Sequence, residues 1–198
     1  MRIFLLLFLT VLILQNSQAQ KAKPYIDSLL AYQKNYVDSH EVVKGADRKN
    51  IRFYPIAKTY QIAAKFEYIA NGEWFSMPTS TGKSAVYRKY GKLTFRIHDT
   101  TVHLFVYQSQ SLMNVEKYKD YLFIPFTDLT TGEGSYDNGR YLEYYIKDIQ
   151  HNQLVIDFNK AYNPYCAYLP GFSCPLPPQE NALQVTIAAG EMKYAKAH

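Results

Sequence analysis

The chain has 198 residues, with 22 Lys and Arg against 17 Asp and Glu, and a formal net charge of +5 at pH 7. The basic residues are scattered, and no Lys/Arg-rich run alternates with aromatic residues, which argues against a nucleic-acid-binding protein. The 19 Tyr and 11 Phe residues are a content typical of half-exposed sheet faces and also of sugar-binding surfaces.

The first residues predict a secretory signal peptide, residues 1–19. Arg2 precedes an apolar run over residues 3–14, and small residues at Ser17 and Ala19 have the spacing that signal peptidase recognises. The apolar run is shorter than the roughly 20 residues that a membrane-spanning helix needs. We therefore predict cleavage after Ala19, export to the periplasm or the medium, and no membrane insertion of the mature chain; an uncleaved anchor is the alternative. Residues 20–198 are predicted to form a single β-rich domain.

Apolar residues at helical spacing predict one amphipathic helix over residues 25–40. Beyond it the apolar period changes to two, as in the run from Tyr60 to Tyr68, which is typical of half-buried strands. Asn71-Gly72 is a strong hairpin signal after this run.

A second strand pair is predicted to flank Tyr90-Gly91, and further strands are predicted over residues 102–107, 121–126, 140–146 and 154–158. The connections are short, so consecutive strands are expected to be antiparallel neighbours. The predicted fold class is mainly β (α+β): an antiparallel meander curled into a barrel or a sandwich, with one N-terminal amphipathic helix.

A proline-rich segment follows the last predicted strand. Five of the nine prolines of the chain lie between Pro164 and Pro178. Because proline fixes φ and lacks a backbone N–H, this segment is neither a helix nor a central strand. Its Tyr, Phe and Leu content argues against disorder. The sequence therefore predicts an ordered loop, of the kind that often carries function.

The motifs of this region resemble those of a known family. The runs from Asp157 to Tyr168 and from Cys174 to Asn181 are similar to the signature of the bacterial and archaeal domain of unknown function 1684. The resemblance covers most of the chain after residue 19 and implies no settled activity, and hence no catalytic assignment. Relatives without a signal peptide imply that the motif does not depend on an oxidising compartment. Further segments that match are residues 123–126, 131–132, 136–142 and 189–191.

Cys166 and Cys174 are the two cysteines of the chain. In an exported protein such a pair usually forms a disulfide, and Pro170-Gly171 between them can turn the loop back, so we predict a disulfide. Two buried unpaired thiols and a metal site are the alternatives. Two thiols without a neighbouring His or Cys pair fall short of a zinc pattern, and we predict neither a metal nor a cofactor.

The polar and aromatic residues of this region predict a ligand site. A pocket needs a few fixed polar groups among apolar rings, and the predicted ligand is a small polar molecule or a glycan-like fragment. In the alternative, the same groups hold the loop: Asp157 and Asn163 bind backbone N–H groups, and Arg140 pairs with Glu180. The predicted ligand-binding residues are Arg140, Asn159, Asn163, Tyr165, Glu180 and Asn181.

Two other functions stay open at this point. A hydrolytic enzyme would use Asp157 and Glu180 as an acid/base pair, which requires both carboxyl groups to face one cavity at a separation of about 5–10 Å. A structural or interaction protein would have no small-molecule site. A cavity beside the proline-rich loop, and the residues that line it, distinguishes these hypotheses.

Overall fold

The computed structural model describes residues 23–97 and 99–196. The predicted signal peptide lies outside these residues. The chain divides into two compact units, Met1–Ser39 and His40–His198. The described part of the first unit is a single helix, α1, over residues 23–39, which confirms the predicted N-terminal helix. Within the described ranges, no helix has both the length and the apolar character that crossing a bilayer requires.

The described part of the second unit contains seven strands, which form one antiparallel sheet that curls strongly into a half-barrel. The strands and a short helix are β1 (Gln61–Tyr68), β2 (Trp74–Pro78), β3 (Ser84–Ile97), β4 (Thr100–Ser109), α2 (Gln110–Met113), β5 (Tyr121–Phe126), β6 (Arg140–Tyr145) and β7 (Gln153–Asp157). The order in the sheet is β6-β5-β4-β3-β1-β7, and β2 pairs with β3. The prediction of a mainly β fold is confirmed, and a half-barrel is closer to the barrel than to the sandwich.

The strand β3 runs without interruption through Tyr90 and Gly91, so the turn predicted there is wrong. The register against β4 shifts between Lys89 and Gly91, which marks a β-bulge. A side chain at Gly91 would overlap the ring of Phe66 on the neighbouring strand. This glycine therefore permits a close approach of a ring to the backbone, which is the other common reason for glycine inside a strand.

The hydrophobic core of the second unit is completed by the tail that follows the proline-rich loop. Buried side chains of the strands pack together with Leu183, Val185, Ile187 and Ala189. These four alternate with more exposed residues, so the tail contributes every second side chain as a strand does. Leu183 N donates to Thr127 O at 2.8 Å, which holds the tail to the segment after β5.

The two edges of the half-barrel are connected by the chain itself. After β7 the backbone passes through a 3-10 turn, Phe158–Lys160, and reaches Tyr162. Tyr162 forms an antiparallel bridge with Tyr141 of β6, at the opposite end of the strand order. This bridge brings the start of the proline-rich loop against the edge strand β6.

Candidate functional site

The proline loop, defined here as residues 163–181, is fixed to the hairpin of β2 and β3. Leu176 N donates to Pro78 O at 2.8 Å, and Ser80 N donates to Cys174 O at 2.9 Å. The prolines keep this loop from forming a regular strand, and its backbone groups form hydrogen bonds with the hairpin instead. The loop and the hairpin turn form one surface.

Arg140 is placed in the interior, with 1% of its surface exposed. Its Nη2 donates to Asp128 Oδ2 at 2.8 Å and to Ile187 O at 2.9 Å, and its Nη1 donates to Ala189 O and to Glu191 O. Burial lowers the pKa of Arg140 from its ordinary value, and the Asp128 carboxylate opposes this shift. Arg140 therefore joins the segment after β5 to the core-forming tail.

Asp157 and Asn159 act on the backbone next to them. Asp157 Oδ1 accepts hydrogen bonds from Asn159 N at 3.1 Å and from Asn159 Nδ2 at 2.9 Å. Asn159 also exchanges two hydrogen bonds with the backbone of Ala57, at 3.0 and 2.9 Å. Both side chains are buried and hold the chain in its turn after β7.

Asn163 and Tyr165 lie at the start of the proline loop. Asn163 N donates to Glu191 Oε2 at 2.9 Å, and Asn163 Nδ2 donates to Met192 O at 2.8 Å. Asn163 Oδ1 is buried and receives no hydrogen bond from the described residues. Tyr165 lies at the surface, where its hydroxyl donates to Glu41 Oε2 at 2.8 Å; burial and this bond raise its pKa to about 12.

Asn181 fills a gap between two neighbouring strands. In the described sheet, the ladder between β4 and β5 contains a single residue pair. Beside it, Asn181 Oδ1 accepts from Phe105 N at 2.7 Å, and Asn181 Nδ2 donates to Phe105 O at 2.9 Å and to Pro125 O at 2.8 Å. Pro125 has no N–H to offer the ladder, so the amide of Asn181 replaces the missing strand contacts. It also fixes the residue before it, Glu180.

Glu180 lies beside a cavity of about 480 Å³. Its Oε1 accepts a hydrogen bond from Tyr107 Oη at 2.9 Å and pairs with Lys89 Nζ at 2.8 Å, whereas its Oε2 receives none from the described residues. Burial, together with the bond to Glu180, raises the pKa of the Tyr107 hydroxyl, so Tyr107 stays a neutral donor. Lys89 Nζ also lies 4.4 Å from the centroid of the Phe105 ring. The lining comprises Ile69, Gly72, Phe75 and Pro178 and the polar residues Asn71, Glu73, Lys89 and Glu180.

Of the predicted ligand-binding residues, only Glu180 lines this cavity. The predicted pairing of Glu180 with Arg140 is wrong, because Lys89 takes that place and Arg140 pairs with Asp128. Asp157 does not line the cavity, so the structure does not bring the two carboxyl groups of the hydrolase hypothesis to this site.

Sequence reasoning missed the cavity residues that lie in the connection between β1 and β2 and on the strands β2 and β3, because they precede Glu180 by about a hundred positions. Asn71-Gly72 was recognisable as a turn, and this was the available signal. The hairpin predicted there is wrong, because β1 and β2 both pair with β3 and not with each other. Nothing in the sequence pattern places that turn beside Glu180, however. The missed residues of the lining are Asn71, Glu73, Phe75 and Lys89, and Tyr107 of β4, which binds Glu180, was missed as well.

Cys166 and Cys174 are free thiols in the structure, with the pair 3.0 Å apart, so the predicted disulfide is not formed. A disulfide needs about 2.05 Å between the sulfurs, and this pair is at a non-bonded distance. Cys166 N donates to Cys174 Sγ at 3.3 Å, and Tyr136 Oη donates to Cys166 Sγ at 3.5 Å. The two side chains nevertheless face each other as the prediction required.

Fold and site together define a mainly β protein, a half-barrel completed by its C-terminal tail, with a cavity between the β1–β2 connection and the proline loop. The profile of the family described as "Protein of unknown function (DUF1684)" matches residues 47–192, and the chain belongs to this family. The match includes all seven strands and the proline loop.

The chain is also similar to a solved structure, the solution NMR structure of an uncharacterised protein from gene locus rrnAC0354 of Haloarcula marismortui. The two share 27% sequence identity with a TM-score of 0.64, over 87% of this chain and 96% of that chain. No match was found among the curated proteins.

Proposed function

We propose that the protein is exported after cleavage near Ala19 and that its second unit binds a small polar or glycan-like molecule in the cavity beside Glu180. The observation that carries the binding proposal is the state of the Glu180 carboxylate. Tyr107 and Lys89 hold one oxygen, and the other receives no hydrogen bond from the described residues. A carboxylate fixed in this way offers an acceptor without first losing its own conformational freedom.

The size and composition of the cavity fit a small ligand. Its volume of about 480 Å³ lies within the roughly 300–1,000 Å³ of small-molecule sites. Such sites combine apolar walls with few polar groups, and here Ile69, Phe75 and Pro178 supply the apolar part. The half-buried ring of Phe75 is suited to the apolar face of a sugar or another flat ring.

The charges of the cavity favour a neutral or cationic ligand with several donors. Glu73 and Glu180 supply two carboxylates, and the ammonium group of Lys89 is already paired with one of them. An anionic ligand would meet the remaining carboxylate charge. The amide of Asn71 adds two N–H donors and one acceptor oxygen, so a polyhydroxylated molecule matches the available groups.

Binding is tested by thermal unfolding of the purified protein with a panel of neutral monosaccharides and disaccharides at pH 7. A ligand at a hundred times its Kd stabilises the folded state by about 2.7 kcal/mol, which a thermal scan resolves. We expect Glu180→Gln to lose the ligand-induced shift, while its own stability changes by no more than about 1 kcal/mol, because the pair with Lys89 is partly exposed.

The matched control is Glu133→Gln, an exposed carboxylate that does not line the cavity. It should keep the full ligand response. If no saccharide stabilises the wild type, or if Glu180→Gln responds as Glu133→Gln does, the binding proposal fails and a structural or interaction role is favoured.

Export rests on residues 1–19 of the sequence and is tested separately. The protein recovered from the periplasm or the medium should begin at Gln20 by N-terminal sequencing. Recovery of the full chain, beginning at Met1, from the cytoplasm would contradict it.

A further inference from the structure

The two cysteines form a dithiol whose members differ in their surroundings. Cys166 is half-buried in a 3-10 turn after Pro164, whereas Cys174 is buried. The pair is 3.0 Å apart, so a movement of about 1 Å would bring the two sulfurs to the distance of a disulfide bond. The Pro170-Gly171 segment between them lies at the surface, so it can take up a change of this size without disturbing the core.

The hydrogen bonds around the pair favour a thiolate at Cys166. A bond from the Cys174 thiol lowers the pKa of Cys166 to about 6, and Tyr136 adds to this effect while burial opposes it. The same bond to Cys166 raises the pKa of Cys174. Tyr136 stays protonated as a donor, because burial raises its pKa as well. Of the two thiols, Cys166 is therefore the one whose thiolate form is favoured.

The Cys174 side of the pair is anchored. Cys174 N donates to Ser80 Oγ at 3.1 Å, and Ser80 N donates back to Cys174 O at 2.9 Å. Ser80 Oγ also donates to Phe172 O at 2.9 Å. The backbone of Cys174 is thus held by the β2–β3 hairpin, and the more accessible Cys166 lies beside it on the proline loop.

We propose that Cys166 and Cys174 form a reversible dithiol–disulfide site, in which Cys166 reacts with a hydroperoxide and Cys174 resolves the product. The Cys166 thiolate attacks the peroxide, the O–O bond breaks, and Cys166 sulfenic acid forms, while the leaving hydroxide or alkoxide takes a proton from solvent and departs as water or an alcohol. The Cys174 sulfur then attacks the Cys166 sulfur, the S–O bond breaks, and a second water leaves with the Cys174 proton. Two thiols are oxidised, one hydroperoxide is reduced, and a small dithiol restores the starting state. The saccharide cavity takes no part in this reaction.

The test uses the full, pre-reduced protein and hydrogen peroxide. One equivalent of peroxide should remove two hydrogens from the protein mass and leave neither cysteine open to iodoacetamide after denaturation, and dithiothreitol added to the folded protein should restore both thiols. Before oxidation, the rate of alkylation at Cys166 should rise through a midpoint near pH 6, in line with its lowered pKa of about 6. Cys174 should stay unreactive over the same range.

The two single serine variants separate the roles of the thiols. In Cys174→Ser, the sulfenic acid has no resolving partner, so dimedone should capture it at Cys166. In Cys166→Ser, peroxide consumption should fall to the background rate and no dimedone adduct should form. The proposal is overturned if Cys174→Ser gives no adduct or if Cys166→Ser reacts as fast as Cys174→Ser. It is also overturned if the disulfide resists dithiothreitol in the folded protein, which would make it a permanent cross-link.

Discussion

The amide of Asn181 is expected to hold β4 and β5 together where their ladder ends. Asn181→Ala removes three hydrogen bonds, two to Phe105 and one to Pro125. At about 1 kcal/mol net for each bond, the free energy of unfolding should fall by about 3 kcal/mol. The melting temperature of a chain of this size should then fall by about 6–12 °C.

The measurement is urea denaturation at pH 7, followed by far-ultraviolet circular dichroism. The control is Asn138→Ala. Asn138 is exposed, and among the described residues its side chain donates only to the hydroxyl of Tyr136. It should change the free energy of unfolding by no more than about 0.5 kcal/mol. A loss below about 1 kcal/mol for Asn181→Ala would refute the assignment, because three hydrogen bonds of a buried side chain, at about 1 kcal/mol each, cannot cost so little.

The isosteric variant Asn181→Asp gives a second, independent readout. The variant keeps the oxygen that accepts from Phe105 N. Its second carboxylate oxygen, however, faces the carbonyl groups of Phe105 and Pro125, to which Asn181 Nδ2 donates in the wild type. We expect at least the destabilisation of the alanine variant at pH 7. The pKa of the new acid should be raised in the folded state, because its protonated form can donate to one carbonyl. The variant should therefore regain stability at acidic pH and lose it as pH rises from about 3.9 through the folded pKa.

Gly190 and Gly82 share a φ of +76°, but a Cβ at Gly190 would lie 2.6 Å from two carbonyl oxygens, whereas a Cβ at Gly82 meets nothing within 4 Å. Chemical denaturation should show that Gly82→Ala lowers the free energy of unfolding by about 1–2 kcal/mol. Gly190→Ala should lower it by at least about 3 kcal/mol more, because its Cβ also overlaps backbone atoms. Equal losses for the two variants would contradict the packing argument. Burial lowers the pKa of His40 below its ordinary 6.5, so the unfolded chain takes up the proton first and stability should fall as pH falls from 6.5 through the folded pKa. His40→Gln should weaken this pH dependence and the exposed control His103→Gln should keep it; the reverse result would assign the slope to another group. Tyr107→Phe should lower the free energy of unfolding by about 1 kcal/mol, because it removes the hydrogen bond to Glu180. It should also weaken saccharide binding, measured by calorimetric titration, because the Glu180 side chain is then less fixed. An unchanged affinity would mean that Tyr107 does not position that carboxylate.

The strands were predictable because their side chains alternate between a buried and an exposed face. In β1, Ala64 and Phe66 are buried and their neighbours Ala63, Lys65 and Glu67 are exposed, a pattern that the sequence carries openly. Gly91 was misread because glycine marks both a turn and a close approach within a strand. The ring of Phe66 decides between them, and it lies 25 positions earlier on another strand.

The site was less predictable because charge alone does not identify a partner. Arg140 and Lys89 are both cations, and no sequence pattern favours one over the other as the partner of Glu180. Arg140 pairs with the buried carboxylate of Asp128, and Lys89 of β3 lies beside the proline loop, where it pairs with Glu180. Such choices depend on contacts across the whole sheet. Local pattern therefore predicted the loop and one of its residues, and tertiary structure supplied the rest.

The ribosome makes the chain from its N-terminus, so the hydrophobic core of the half-barrel stays incomplete until the core residues of the tail have been synthesised. These are Leu183, Val185, Ile187 and Ala189. A nascent chain that stops short of them would present the apolar lining of its curved sheet to chaperones and proteases. The long sequence separation between this tail and the strands it covers also requires a large loop to close before the interior is sealed. Maturation of the native state is thus a late, whole-chain event.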